Sequence, residues 1–134
     1  MQVNLIFTSG WIMDHHHKIF KKYGLSNQQY NVLRILRGAL PDALSLGLIK
    51  SRMLDRMSDT SRIVERLRKS GLIKRTTNST DRRVAKITIS EKGLTLLEEM
   101  AAEEVNLDIA SKGLSEDEAK QLNELLNKLR SVTL

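Results

Sequence analysis

Three successive charged side chains, Asp81, Arg82 and Arg83, follow a run of small polar residues and precede a segment that alternates apolar and polar residues. This alternation over 84–90, with a similar short segment over 72–77, predicts two strands joined by a turn that carries the three charges. Arginines at the tip of such a ribbon can enter the DNA minor groove, where narrow A·T-rich segments concentrate negative potential. We therefore expect Arg82 and Arg83 to contact DNA, although an arginine at a loop tip is otherwise common.

The segment before the ribbon has the pattern of a helix that exposes polar and basic side chains. Ser58, Asp59 and Thr60 provide the N-cap chemistry of a helix start, and Gly71 follows the helix end. Three apolar residues are expected to face inward, namely Ile63, Val64 and Leu67. The opposite face consists of Asp59, Ser61, Arg62, Glu65, Arg66 and Lys69. A helix can enter the major groove if its outward side chains form hydrogen bonds or carry positive charge while its inward side chains anchor it. A carboxylate on that face either accepts from a cytosine amino group or orients a neighbouring arginine.

Two segments upstream of the basic helix are also predicted to be helical. The segment 26–38 opens with Ser26 and Gln29, a capping-box pair, and then repeats apolar residues on one face. Pro41 marks a turn before a short helix over 44–53. This short helix, a tight link and the basic helix form a helix-turn-helix, and the ribbon that follows is its wing. The predicted fold is mainly α with a small β-wing, a winged helix-turn-helix with additional helices at both ends of the chain.

The helices predicted at the two ends have more apolar surface than a small domain can bury. A first helix spans 11–22 and can start further upstream, a fifth spans 91–110, and a sixth begins at a capping box of Ser115 and Glu118. The apolar stripe of the sixth consists of Leu122, Leu125, Leu126, Leu129 and Val132. We expect these helices to pair with a second copy of the chain, which makes the protein a homodimer. Packing within one chain is the alternative.

Charge is distributed unevenly along the sequence. Residues 1–49 hold five Lys/Arg against two Asp/Glu (+3), residues 50–92 hold thirteen against five (+8), and residues 94–134 hold four against nine (−5). A basic central block is typical of a surface that contacts a polyanion, whereas a solvated surface is the simpler interpretation. With the helix and ribbon in the same block, double-stranded DNA is the expected partner. The candidate DNA-binding residues are Ser58, Asp59, Ser61, Arg62, Arg66, Lys69, Lys74, Arg82 and Arg83.

Other chemistry has little support. The 134 residues, 40% of them hydrophobic, fit a single domain over 1–134. The absence of cysteine excludes a thiolate nucleophile and a Cys-ligated zinc. Because the sequence also lacks a nucleophile motif and a glycine-rich phosphate-binding loop, we expect no enzyme activity, no catalytic residues and no cofactor.

Neither the histidine triplet nor the apolar runs of the sequence predict metal or membrane binding. His15, His16 and His17 are adjacent, so on a helix they point about 100° apart and cannot bind one ion together. Only Asp14 and His17 share a face, and we expect no metal site. No apolar run approaches the roughly 18 residues of a membrane span, and the N-terminal segment lacks a signal-peptide pattern, so a cytoplasmic location and no membrane partner are expected.

Three separated segments resemble the MarR family of bacterial winged-helix regulators. DRRVAKITISEKG (81–93) is similar to the family's wing signature, SDTSRIVERLRKSGLIKR (58–75) to its recognition helix and first wing strand, and YGLSNQQYNVLRIL to its second helix. The resemblance covers about residues 11–110. The link before Ser58 is one residue longer than the family pattern, and the first helix begins nearer the start of the chain than is usual.

The resemblance implies a specific division of roles. Residues 26–92 would form the DNA-binding lobe, and residues 1–22 and 93–134 the dimerisation helices. Arg83 would be the minor-groove residue, and Asp81 would brace the wing by pairing with an arginine. The implied function is a sequence-specific regulator, usually a repressor, that binds a palindromic operator. A small aromatic, frequently anionic effector would bind between the helices that dimerise and the DNA-binding lobe; no residue set identifies its site, but Trp11, Tyr23, Tyr30 and the histidines lie on helices that could line it. The alternative is an interaction or architectural module that binds DNA non-specifically or holds a protein partner.

Overall fold

The elements are described here from a computed structural model that covers residues 1–77 and 84–134. Within these residues the helices are α1 (Gln2–Lys21), α2 (Asn27–Ala39), α3 (Leu46–Arg52), α4 (Thr60–Lys69), α5 (Glu91–Glu99), α6 (Glu104–Leu107) and α7 (Glu116–Arg130). The strands are β1 (Ile73–Thr77) and β2 (Ala85–Ile89), and 3₁₀ turns occupy Ala101–Glu103 and Ala110–Lys112. The mainly helical fold with a two-stranded wing is confirmed. No helix in the described part of the chain is long and apolar enough to span a membrane.

Two predicted helix starts, those of α2 and α7, are confirmed by capping boxes. The Ser26 hydroxyl accepts from the Gln29 amide at 3.1 Å, while the Gln29 side chain accepts from the Ser26 amide at 2.9 Å. Ser115 and Glu118 form the same reciprocal pair at the start of α7. Each pair satisfies two amides that a helix leaves without intrahelical partners, so these starts depend on neighbouring residues alone.

The core lies beneath the helix-turn-helix. Val32, Leu33 and Leu36 of α2 are almost fully buried, and they share one cluster with residues of the other elements of the lobe. These include Ile49, Val64, Leu67, Ile73, Ile87 and Ile89. Of the three residues predicted to face inward on α4, Val64 and Leu67 are buried and Ile63 is partly buried against the cluster. The recognition helix candidate is therefore held by the same apolar contacts that form the core.

The wing is an antiparallel ribbon whose register runs from Ile73 opposite Ile89 to Thr77 opposite Ala85. Outside the two strands, Leu44 exchanges both backbone hydrogen bonds with Ile87, at 2.9 and 2.8 Å. This bridge attaches the turn before α3 to the second wing strand. The wing base is consequently fixed to the helix-turn-helix on two sides.

The end of α4 and the start of α5 are joined through a glycine turn. Gly71 has a φ of +76°, a conformation that favours glycine, and the next amide, that of Leu72, returns to the carbonyl of Leu67 at 3.0 Å. The Ser90 hydroxyl donates to the Gly71 carbonyl at 2.6 Å and accepts from the Gly93 amide at 3.1 Å. The cap of α5 therefore also fastens it to the turn after α4.

The prediction of one continuous helix over 91–110 is wrong. The helix α5 ends at Glu99, and a 3₁₀ turn leads to the one-turn helix α6. His15 Nε2 bonds the backbone carbonyl of Asn106, and His16 Nε2 lies 2.8 Å from the carbonyl of Leu107. A continuous helix would use those carbonyls for amides four residues further on, so hydrogen bonds from α1 replace helical ones at this point.

The two terminal helices carry exposed apolar faces. Only Ile19 and Phe20 are buried in α1, whereas Val3, Ile6 and Phe7 are more than 70% exposed. No residue of α7 is buried, and the predicted stripe is open at Leu122, Leu125, Leu129 and Val132. The helix α1 also starts upstream of the predicted 11–22. Packing within one chain, the alternative to a dimer, leaves these faces uncovered.

Candidate nucleic-acid interface

The helix α4 is positioned by its cap and by its buried face. The carboxylate of Asp59 accepts from the Arg62 amide at 3.2 Å, so this residue is the N-cap. Thr60, the first helical residue, is buried, and neither its hydroxyl nor that of Ser58 has a hydrogen-bond partner among the described residues. One face of α4, which includes Thr60, is therefore packed inward, while the opposite face points outward.

The predicted DNA-binding residues lie mostly on one exposed surface. Ser58 is half-buried just before α4, and Lys74 is exposed on β1. The exposed residues of α4 and its cap are Asp59, Ser61, Arg62, Arg66 and Lys69. Because Arg62, Arg66 and Lys69 are spaced by four and three residues, their side chains project from the same face of the helix. This face presents three positive charges that are available to phosphates or to base edges.

The carboxylate of Glu65 already has a partner on that helix. Arg68 donates from Nε to one oxygen at 3.0 Å and from an Nη atom to the other at 2.6 Å. These hydrogen bonds, together with the positive charges of Arg68, Lys69 and Arg75, hold the pKa of Glu65 below its ordinary value. Of the two roles expected for a carboxylate here, Glu65 has the second, because it orients a neighbouring arginine.

Two exposed cations of this surface are absent from the candidate residues predicted from the sequence. Arg68 is the partner of Glu65, and the opposite charges at i and i+3 on one helix were the available signal. Arg75 lies on β1 close enough to lower the Glu65 pKa, a proximity that depends on how the ribbon packs against α4. In residues 1–77 and 84–134, Arg62 and Arg66 form no ion pair with a carboxylate.

The tip of the wing falls outside the described residues. Asp81, Arg82 and Arg83 are all in this segment, so the predicted minor-groove contact and the bracing role of Asp81 stay predictions. The last described pair of the ribbon is Thr77 with Ala85, and residues 78–84 connect the two strands in the sequence.

The link between α3 and α4 is fixed by side-chain hydrogen bonds. The amide of Leu54 donates to the Asn31 side chain at 3.0 Å, and the amide of Met57 donates to the Asp55 carboxylate at 2.9 Å. Leu54 and Met57 are nevertheless 86% and 92% exposed. The link is thus exposed at these two side chains, while its backbone is tied to α2 at Leu54.

Two residues of the histidine triplet, His15 and His16, join α1 to α6. The Nε2 atoms of His15 and His16 must carry protons, because each faces a backbone carbonyl that can only accept. Among the described residues, no group of three or more His, Cys, Asp or Glu side chains could hold a metal ion. His15 and His16 act in this protomer as links between helices.

A cavity of about 590 Å³ lies beside these histidines, between α1, α2, α6 and the link after α3. Its aromatic wall consists of His16, Phe20 and Tyr30, and its ionisable lining consists of Arg34, Asp55, Glu104 and Asp108. Of the residues expected to line an effector site, Tyr30 and His16 line this cavity. Tyr23 lines a separate, smaller cavity, and Trp11 lines neither.

Comparisons with known proteins agree with this architecture. A model of the MarR family matches residues 23–84. The HTH-type transcriptional regulator MgrA of Staphylococcus aureus is 32% identical over 113 residues, which are 84% of this chain and 75% of that protein. The S. aureus MepR–DNA complex covers 98% of this chain and 96% of its own, with a TM-score of 0.87 and 20% identity. Bordetella bronchiseptica BpsR, whose DNA binding is regulated by 6-hydroxynicotinic acid, covers 99% and 94%, with a TM-score of 0.84 and 22% identity.

Proposed function

Because the chain belongs to the MarR family of transcriptional regulators, whose members are not enzymes, we propose that it binds double-stranded DNA as a homodimer and represses transcription from a roughly palindromic operator. The observation that carries the proposal is the exposed face of α4, where Arg62, Arg66 and Lys69 project from a helix with a buried opposite side.

The proposed contacts divide into two kinds. Phosphate contacts from the lysines and arginines of residues 50–92 supply most of the affinity and make it depend steeply on salt. Base contacts supply the sequence preference. In the major groove these come from Ser58, Ser61 and Arg62 at the start of α4, with Asp59 holding the first turn in place through the Arg62 amide. Arg82 and Arg83 contact the minor groove.

The proposed dimer uses the apolar faces of α1 and α7. Four side chains of the α7 stripe are between 41% and 64% exposed, and exposed apolar surface of this extent favours association. A two-fold pairing through these helices would carry two copies of α4 to successive major-groove faces, about 10 to 10.5 base pairs apart. The operator would then repeat its half-sites in inverted orientation.

A small-molecule effector is the remaining part of the proposal. The cavity lies between α1 and α6 on one side and α2, which belongs to the proposed DNA-binding lobe, on the other. The DNA binding of the structurally similar BpsR is regulated by a small molecule. A ligand can relieve repression only if it binds one spacing of the two α4 helices more tightly than the other.

The test is competition between DNA sequences. A labelled fragment from upstream of the protein's own coding region is bound at fixed salt, and unlabelled copies of that fragment or of random DNA are added. We expect the specific competitor to displace the label at concentrations at least about 1,000-fold lower than random DNA. Equal displacement by both would favour the alternative, an architectural module without sequence choice.

Replacing Arg83 by alanine is expected to weaken operator binding by about 1 to 3 kcal/mol, because one minor-groove guanidinium is lost. The measurement is fluorescence anisotropy at constant ionic strength. Lys120→Ala on α7 removes the same charge from a helix outside the DNA-binding lobe and serves as the control. Undiminished binding of the Arg83 variant would remove the wing from the mechanism.

A further inference from the structure

We propose that the cavity between α1, α2 and α6 binds a cationic aromatic molecule. The inference rests on the proposed function only for its consequence, the release of DNA; the binding itself is a property of the cavity. It departs from the frequently anionic effectors that the family resemblance implies, and from the aromatic acid that regulates BpsR. The argument comes from the charges of the lining and from how each of them is engaged.

The one arginine of the lining is already neutralised. An Nη atom of Arg34 lies 3.2 Å from a Glu104 carboxylate oxygen, and its guanidinium carbon lies 5.9 Å from the centre of the Tyr30 ring. An anionic ligand that uses Arg34 must displace Glu104 or share the guanidinium with it. Both side chains are about half exposed, so the pair contributes little stability, and Glu104 competes with a carboxylate ligand for this guanidinium.

Two further carboxylates are left without a cationic partner in the described residues. Asp55 accepts from the Met57 amide, and Asp108 accepts from the Ser111 amide at 3.3 Å. Backbone amides hold these carboxylates in place but do not cancel their charge. The lining thus contains three carboxylates against one guanidinium, and a ligand anion would enter a field of its own sign.

Two polar side chains of the lining already donate to backbone carbonyls. The Asn27 side chain donates to the Met13 carbonyl at 3.1 Å, while its Oδ1 atom is buried with no hydrogen-bond partner among the described residues. His16 offers no free donor at Nε2, because that atom faces the Leu107 carbonyl.

The aromatic wall supplies the apolar part of the site. Phe20 and Tyr30 stack with ring centres 4.1 Å apart, and His16 lies 5.7 Å from Phe20. Aromatic faces attract cations and give apolar contact to a flat ring system. A ligand with one or two fused rings and an ammonium or amidinium group matches both the wall and the carboxylates, and it is small enough for a cavity of about 590 Å³.

A matched pair of probes tests the sign of the preference. We titrate the protein, without DNA, by calorimetry with 2-naphthylmethylammonium and with 2-naphthoate, which share the ring system and differ in charge. The ammonium probe is expected to bind at least about tenfold more tightly. Tighter binding of 2-naphthoate, or no binding of either probe, would overturn the proposal.

A variant pair locates the site. Asp55→Asn together with Asp108→Asn keeps the shape of both side chains and one acceptor oxygen on each, and it removes two charges. This double variant is expected to weaken binding of the ammonium probe at least about fivefold. The control, Asp117→Asn with Glu124→Gln on α7, removes the same charge elsewhere and should leave binding unchanged. Equal weakening by both variants would show that only overall charge matters and would contradict the site.

Operator binding of the same variants is measured separately in the absence of probe. Failure of the ligand titration with normal operator binding would overturn this inference alone. Failure of operator binding by the unaltered protein would overturn the proposed function and leave the ligand result standing.

Discussion

Replacing Leu125 and Leu129 by aspartate is expected to give a monomer that binds its operator at least about 100-fold more weakly than the unaltered protein. The two side chains are 55% and 41% exposed in the protomer, so the protomer keeps its fold. At a dimer interface each carboxylate would be buried without a partner, which is strongly unfavourable. A monomer loses the advantage of two linked half-site contacts, commonly 10²–10⁴ in affinity.

Sedimentation velocity gives the oligomeric state, circular dichroism gives the helix content, and anisotropy gives the affinity. Leu40→Asp, at a 42% exposed position after α2, is the control for placing a carboxylate on an exposed leucine outside the terminal helices. A double variant that stays dimeric would exclude the α7 stripe from the interface.

Replacing Gly93 by alanine is expected to lower the free energy of unfolding by about 2 to 4 kcal/mol. An added Cβ would lie 2.3 Å from the Leu72 carbonyl oxygen and 2.6 Å from a side-chain carbon of Ile89. The carbonyl cannot move away freely, since it accepts from the Ser90 amide at 3.0 Å. The helical preference of alanine over glycine, about 1 kcal/mol, is too small to compensate for this overlap.

Urea denaturation of the protein without DNA measures this effect. Gly38→Ala in α2 is the matched control, because an added Cβ there meets nothing within 4 Å. That variant should be equally stable or slightly more stable than the unaltered protein. If the two variants had the same stability, the close approach at Gly93 would have no energetic importance.

What could be predicted from the sequence was largely local. The capping boxes at Ser26 and Ser115, the glycine stop at Gly71 and the alternation of β2 each depend on residues a few positions apart, and all are confirmed. The outward face of α4 follows from the same periodicity. The family could be predicted because three local patterns occur in the right order along the sequence. The relatives confirm this prediction.

What could not be predicted depends on contacts between distant parts of the chain. The end of α6 carries hydrogen bonds from His15 and His16, whose side chains lie 91 positions from the carbonyls they contact. The charge of the cavity depends on the pairing of Arg34 with Glu104, 70 positions apart. Gly93 belongs to the wing motif, but the sequence does not show why a glycine is needed there. The requirement comes from the Leu72 carbonyl on the turn after α4, against which α5 packs.

The double hydrogen bond between Leu44 and Ile87 has a mechanical consequence for release from DNA. It holds the base of the wing against the turn before α3, and so the two elements proposed to enter the DNA grooves are joined as one rigid unit. In the proposed dimer, a small rotation of this unit relative to that of the partner protomer would withdraw both proposed groove contacts together. Dissociation would then follow a single cooperative step, with no intermediate in which one groove is vacated first.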